Sequence, residues 1–318
     1  MKSSESMSSL DEDIQYIFQL TRWALKPLGL WWIIAEEERQ MMLEKSKFGK
    51  KITKLCAFFI FSGGYAFTTI MPLWNRHVNK KKGLVKPAPP SIYDHLFNTQ
   101  ATPAREIIFG IRLLGSTICY IVITAACGLA AMSASHISGH VDIIKSRLQK
   151  LVDCKYETEH DMVNDKIAFI IQCHVKIISF SGRVEKMLRE ICLIEVLSST
   201  FLICWLGYYC MMKWNDNEPV SILTYTILLI SLTLNIFIFC YIGEILQEQC
   251  ASIGNFTYMS DWYKISGKKI LSLLLIIAMA NYPRRITACG FMDLNIRSFG
   301  SIMKTSVAYL NMLRAMAE

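Results

Sequence analysis

An all-α protein that crosses a lipid bilayer several times, amino terminus inside, is the fold the sequence predicts, and three observations predict it. The chain has 318 residues, 53% hydrophobic and 19% charged, with a mean hydropathy of +0.31. Soluble domains run at roughly 45–50% apolar and about 25% charged. Several uncharged runs reach the length needed to cross about 30 Å of hydrocarbon, roughly 20 residues. Beyond those runs, apolar residues recur at helical spacing rather than in the alternation of a strand. The same balance excludes a disordered chain and a secreted disulfide scaffold. The eleven cysteines form no C-x-x-C pair and mostly sit inside apolar runs, as do Cys56, Cys119, Cys127, Cys204 and Cys240. Cysteine used this way is a small hydrophobe.

Residues 1–50 read as a cytoplasmic N-terminal segment, acidic and polar at the start. Its early apolar run, 29–35, is shorter than a signal-peptide core, so the first span is expected to act as the signal anchor. Residues 51–318 read as one transmembrane domain with spans at about 55–75, 113–141, 191–212, 219–243 and 297–316. The first, second and fourth carry no charge, and the third has Glu195 near its start. The fifth has the length but carries Ser298, Ser301, Lys304, Thr305, Ser306 and Asn311. A span that polar fits a bilayer when one face lines water. Residues 270–283 are apolar but too short to span, and Lys268, Lys269, Arg284 and Arg285 clamp both ends. That pattern predicts a buried or interfacial helix.

Orientation follows from basic residues beside the spans. Arg39, Lys45, Lys47, Lys50 and Lys51 precede the first span. Lys145, Arg147, Lys150, Lys155, Lys166, Lys176, Arg183, Lys186 and Arg189 lie between the second and third. Alternating spans put both sets on one side, the cytoplasm, although Lys80, Lys81 and Lys82 stand in the opposing loop of 75–105. Five spans then place the carboxyl terminus outside. The Pro cluster at 86–90 belongs to that outer loop and is expected to be extended.

Two cytoplasmic stretches, about 142–190 and 244–283, keep helical periodicity. Ile143, Ile144, Leu148 and Leu151 continue the second span. Ile170, Ile171, Val175, Ile178, Val184, Leu188 and Ile191 lead into the third. Ile245, Leu246, Ile253 and Trp262 carry a weaker stripe after the fourth. A cytoplasmic helical bundle and separate helices resting on the bilayer both fit this pattern.

Chemistry-bearing motifs are few. There is no G-x-S-x-G, P-loop or G-x-G-x-x-G, so no enzyme activity, cofactor or nucleic-acid partner is expected. His136 and His140 have the four-residue spacing of metal ligands on a helix, but only Asp142 stands near, and no metal site is expected. Asn255-Phe256-Thr257 spells a glycosylation sequon that the topology places in the cytosol, unmodified. The last helix is more informative. Ser298, Ser301, Thr305, Tyr309, Met312 and Met316 form one stripe, hydroxyl-bearing first and apolar at the outer end. A small-polar lining that ends in a hydrophobic constriction suits a pore that gates by dewetting. Hydroxyls packed against a neighbouring helix give the same stripe. Aromatic residues collect in the outer half of the first span, at Tyr65, Phe67 and Trp74, with Tyr120 and Tyr225 on other spans. Apolar walls with a few hydroxyls suit a small volatile or lipophilic ligand. Interfacial belts and ordinary packing account for the same rings.

The residues also carry a family resemblance. The stretch 286–314, with Cys289-Gly290-Phe291-Met292-Asp293 and Tyr309-Leu310-Asn311-Met312-Leu313, resembles the terminal signature of insect odorant receptors. So does Cys240-Tyr241-Ile242-Gly243-Glu244 with Asp261-Trp262-Tyr263 after it. Thr102-Pro103-Ala104-Arg105-Glu106 is similar to the family's entry into its fourth helix. His136-Ile137-Ser138-Gly139-His140 is near its H-x-C-G-Q, with Ser and His where Cys and Gln are common. Arg22 to Trp31 resembles its N-terminal segment.

The resemblance implies a tetrameric ligand-gated cation channel in the plasma membrane of sensory neurons, an odorant-binding subunit joined to a shared co-receptor and bathed in membrane lipid. It implies that the last helix lines the pore, with the gate at Met312 and Met316, and that the cytoplasmic helices form the subunit anchor. It implies a ligand pocket among the outer halves of the spans, for which Tyr65, Phe67, Thr68, Leu114, Ile118 and Tyr225 are the candidates. The family has seven spans and this chain offers five. Trp31-Trp32 runs straight into Ile33, which looks like the approach to the family's third helix. The first two helices are therefore expected to be missing, which keeps the downstream orientation and leaves a truncated, non-functional receptor as one reading. A gustatory-type receptor is opposed by Thr102-Pro103 and the terminal signature. A multipass transporter or membrane enzyme is opposed by the absence of ionisable clusters in the spans.

Overall fold

The structure, a computed structural model, describes residues 36–70, 72–74, 102–153, 160–215, 219–264 and 269–317. The 22–31 motif, the 86–90 Pro cluster and most of the 75–105 loop lie outside the described residues. Among the described residues the architecture is α-helical, as composition and period predict, apart from one short two-stranded hairpin. Helix α1 is Glu36–Tyr65, followed by a π turn at Ala66–Ile70. Then come α2 (Thr102–Asp153), α3 (His160–Asn215), α4 (Pro219–Met259), α5 (Lys269–Ala280) and α6 (Ile296–Ala317). The first four contain stretches long and apolar enough to cross a membrane, whereas Ile270–Ala280 is a shorter apolar helix. With 22 residues α6 has the length, but its serines, threonine and lysine make it more polar than the others.

The helices outlast the bilayer. With 52 and 56 residues, α2 and α3 run about 78 and 84 Å at 1.5 Å per residue, more than twice the hydrocarbon thickness. No proline interrupts either after its first turn, so nothing breaks the backbone ladder where the apolar run ends.

The described residues fall into two compact units. One holds the described residues up to Lys51, with Leu129–Cys192 and Tyr241–Asn295. Its core is largely aliphatic, built on Ile137, Ile144, Leu148, Ile177, Leu188, Ile242, Leu246, Ile253 and Leu273 with Phe180 among them. Arg147 clamps Glu38 with two bonds, Nε to Oε1 at 2.6 Å and Nη2 to Oε2 at 2.9 Å. Its guanidinium also covers the Phe169 ring at 4.3 Å. A two-stranded hairpin, β1 (Thr287–Ala288) with β2 (Met292–Asp293), caps the unit, Thr287 opposite Asp293. The three-residue turn carries positive φ at Cys289 (50°) and Gly290 (77°), the left-handed geometry that a glycine accepts without strain. Gly243 on α4 lies so close to the Leu294 carbonyl that a Cβ there would meet backbone.

The other unit holds Ile52–Gly128, Leu193–Cys240 and Ile296–Glu318 as far as they are described. Its outward faces are large and apolar, with Leu114, Ile118, Ile194, Leu197, Phe201 and Leu223 all exposed. That is the surface a bilayer covers.

Candidate functional site

The aromatic residues singled out by the sequence meet in the second unit, where the π turn re-aims the end of α1. Gly63 and Gly64 precede that turn, and Thr68 and Thr69 hydroxyls donate back to the Gly64 and Tyr65 carbonyls at 2.9 and 2.5 Å. These hydroxyls supply alternative donors to carbonyls of the loosened ladder, and π turns recur at functional sites. Gly64 faces the Tyr120 ring so closely that only a hydrogen fits between them. Tyr65, Phe61 and Tyr120 form a ring cluster, with Tyr65–Tyr120 centroids 5.9 Å apart and Phe61–Tyr120 6.1 Å. The Tyr65 hydroxyl shares a 3.2 Å hydrogen bond with Thr117 Oγ1 on α2. A second cluster joins Phe67, Tyr225 and Tyr209, with spacings of 6.1 and 5.8 Å.

Of the pocket candidates, Tyr65, Phe67, Thr68 and Tyr225 therefore lie in or beside these clusters. Leu114 and Ile118 do not: they are 67% and 61% exposed on α2. Tyr209 and Thr117 were not singled out by the sequence, because no local pattern separates a ring facing inward from one facing lipid. The clusters bring together apolar ring faces and two or three hydroxyls.

The stripe on α6 is resolved into two faces. Ile302 and Ser306 are buried, Leu310 packs against Gly207 of α3, and Phe299 meets Phe237 of α4 edge-on at 5.4 Å. About a quarter-turn round the helix from that packed face, Ser301, Thr305, Tyr309, Met312 and Met316 are exposed, and Ser298 is half-buried. The Thr305 hydroxyl donates to the Ser301 carbonyl at 3.0 Å. Ser301 and Thr305 of the hydroxyl stripe are thus on the exposed part of α6 among the described residues, and Lys304 is exposed beside them.

His136 and His140 meet edge-on with ring centroids 4.6 Å apart, and both are buried, His136 beside Phe180, in the first unit. No group of three or more His, Cys, Asp or Glu side chains able to hold a metal ion occurs among the described residues. Asn255 is exposed on α4, within the first unit.

With this geometry in place, the comparison with known proteins is decisive about family. Residues 33–307 match the family model described as 7tm Odorant receptor. The chain belongs to that family. The match opens at Ile33, the residue that resembles the approach to the family's third helix. Odorant receptor 10 of Aedes albopictus is 25% identical over 174 residues, 55% of this chain and 46% of that one. Odorant receptor 85f of Drosophila melanogaster is 23% identical over 172 residues, 54% of this chain and 43% of that one. The chain thus matches about half the length of either relative. The structure of the insect olfactory receptor OR5 from Machilis hrabei in complex with eugenol aligns with a TM-score of 0.71 at 17% identity. That alignment covers 89% of this chain and 70% of the other. The fold is shared, that of a helical multipass membrane protein, and this chain is an odorant receptor by family.

Proposed function

We propose that this odorant receptor is a subunit of a ligand-gated, non-selective cation channel that detects small volatile or lipophilic molecules together with a shared co-receptor. The exposed hydroxyl stripe of α6 carries the reading. Ser298, Ser301 and Thr305 with Lys304 make a poor lipid-facing surface. Set around a central axis with the same helix of other subunits, they line a water path that Met312 and Met316 narrow. Ring clusters around Tyr65, Phe67, Thr68 and Tyr225 supply the ligand contacts. The amino terminus is cytoplasmic, five spans cross the plasma membrane of a sensory neuron, and 142–190 with 244–283 anchor the subunits in a heterotetramer.

Co-expression with a co-receptor and recording of odorant-evoked current is the test. A surface-expressed but silent complex would refute the channel reading for the chain as it stands. Met312→Ala or Met316→Ala is expected to raise basal current, since a shorter side chain widens a dewetting constriction. Unchanged leak in a responsive complex would remove the gate from those methionines. Asn255 is expected to stay unglycosylated, and a glycan there would reverse the topology.

A further inference from the structure

A buried carboxyl joins three helices of the second unit. Glu195 on α3 is 9% exposed. Its Oε1 accepts from Asn235 Nδ2 on α4 at 2.5 Å and from Ser199 Oγ, one turn on, at 3.3 Å. Asn235 is 2% exposed, and its Oδ1 accepts from Cys56 Sγ on α1 at 3.4 Å. One turn earlier on α4, the Ser231 hydroxyl donates to the Phe59 carbonyl of α1. A carboxyl inside a span is costly, so its partners are the residues to ask about. Between helices in lipid, such bonds supply adhesion that the hydrophobic effect does not.

The consequence is orientational. Both ends of the Asn235 amide are engaged, nitrogen toward α3 and oxygen toward α1, so α4 cannot turn about its axis without breaking one bond. The same helix carries Tyr225, which faces Phe67 and Tyr209, and Phe237, which sits edge-on to Phe299 of α6. Tyr225 and Phe237 lie about 18 Å apart along the helix, and Asn235 is two residues from Phe237.

We infer that Glu195 is a positioning residue: through Asn235 it sets the rotation of α4, and with it the seating of Phe237 on Phe299 and the response of α6 to occupancy at Tyr225. The statement about α4 stands alone, and the clause about response rests on the channel reading above.

Two arms test it in the full-length protein. In cell membranes, Phe237→Cys with Phe299→Cys should give an oxidative cross-link that requires both cysteines. Adding Glu195→Leu, or Asn235→Leu from the other side, should slow that cross-link about tenfold, while Glu195→Gln, which keeps the acceptor oxygen, should leave it unchanged. Equal cross-linking rates in all variants would overturn the proposal. Should Glu195→Leu fail to accumulate, Asn235→Leu set against Glu195→Gln decides the same question. In recordings with a co-receptor, Glu195→Leu should lower the maximal ligand-evoked current about 3- to 30-fold with little change in half-maximal concentration. Glu195→Gln should restore the maximum. A shift confined to the half-maximal concentration would overturn transmission through α4. Absence of current from the wild-type complex, beside the predicted cross-linking pattern, would refute the channel reading and leave Glu195 as the positioning residue of α4.

Discussion

Among the described residues, ten of the eleven largest fully buried side chains belong to one of the two units, and Ile236 alone to the other. On the proposed topology the difference is one of solvent, water around the first unit and lipid around the second. The first unit gathers its fully buried side chains into one core and carries ion pairs on its surface, although Met259, Leu271, Leu274 and Phe291 stay exposed on it. The second unit can leave Leu114, Phe201 or Leu223 on the outside because lipid is as apolar as they are. What it must satisfy instead is polarity, through hydroxyls that donate to carbonyls within their own helix and through the Glu195–Asn235 contact. Hydrophobic burial organises one unit, and polar satisfaction with ring packing organises the other.

The largest effect that would sharpen this contrast is truncation of the core. Phe180 is fully buried beside His136, and Phe180→Ala should cost about 3–5 kcal/mol and cut the yield of folded protein. Leu114→Ala, at a 67% exposed site, should change thermal stability in detergent by less than about 0.5 kcal/mol. Similar losses at both sites, by fluorescence-detected gel filtration after heating, would break the distinction. Next comes Arg147→Ala. It strips the two-bond clamp from Glu38, which is 12% exposed, and should cost about 2–3 kcal/mol because a nearly buried carboxylate loses its cation. Replacing both residues by apolar ones should recover most of that loss, and failure to recover would assign the effect to packing on Phe169 instead.

Those residues also show what the sequence could and could not disclose. Four long apolar helices and the short clamped helix α5 were legible because each is a statement about neighbours at fixed spacing. The α6 stripe was legible for the same reason, although its exposure was not: period assigns residues to a face and is silent about what covers it. Glu38 and Arg147 stand 109 positions apart and Glu195 and Asn235 40 apart, so no local pattern links them. The exposure of Leu114 and Ile118, both pocket candidates, belongs to the same gap. The π turn was likewise hidden, since Gly63, Gly64, Thr68 and Thr69 are as compatible with a regular span as with a widened one.

A glycine pair tests the comparison at smaller amplitude. Gly243→Ala would press a methyl on the Leu294 carbonyl, a backbone atom that can yield only if the hairpin region moves. Gly64→Ala would press one on the Tyr120 ring, a side chain able to swing toward lipid. Overpacking costs about 1–3 kcal/mol, and Gly243→Ala should lie at the upper end and Gly64→Ala at the lower. Gly64→Ala should nonetheless disturb ligand response more, because the displaced ring belongs to the Tyr65 cluster. The reverse order in melting temperature would mean that the second unit packs as rigidly as the first.

The smallest effect concerns ions on the water-facing unit. Lys45 Nζ lies 2.9 Å from Asp142 Oδ2, with side chains 37% and 29% exposed. A pair that accessible contributes about 0.5 kcal/mol or less and weakens with salt. Lys45→Ala should therefore lower the melting temperature only slightly, and the gap from wild type should close between low and high ionic strength. The Glu195 contact, shielded from solvent and salt, should keep its effect unchanged over the same range. Equal salt sensitivity of Lys45→Ala and Asn235→Leu would mean that ions reach both sites, and water would then be the solvent of both units.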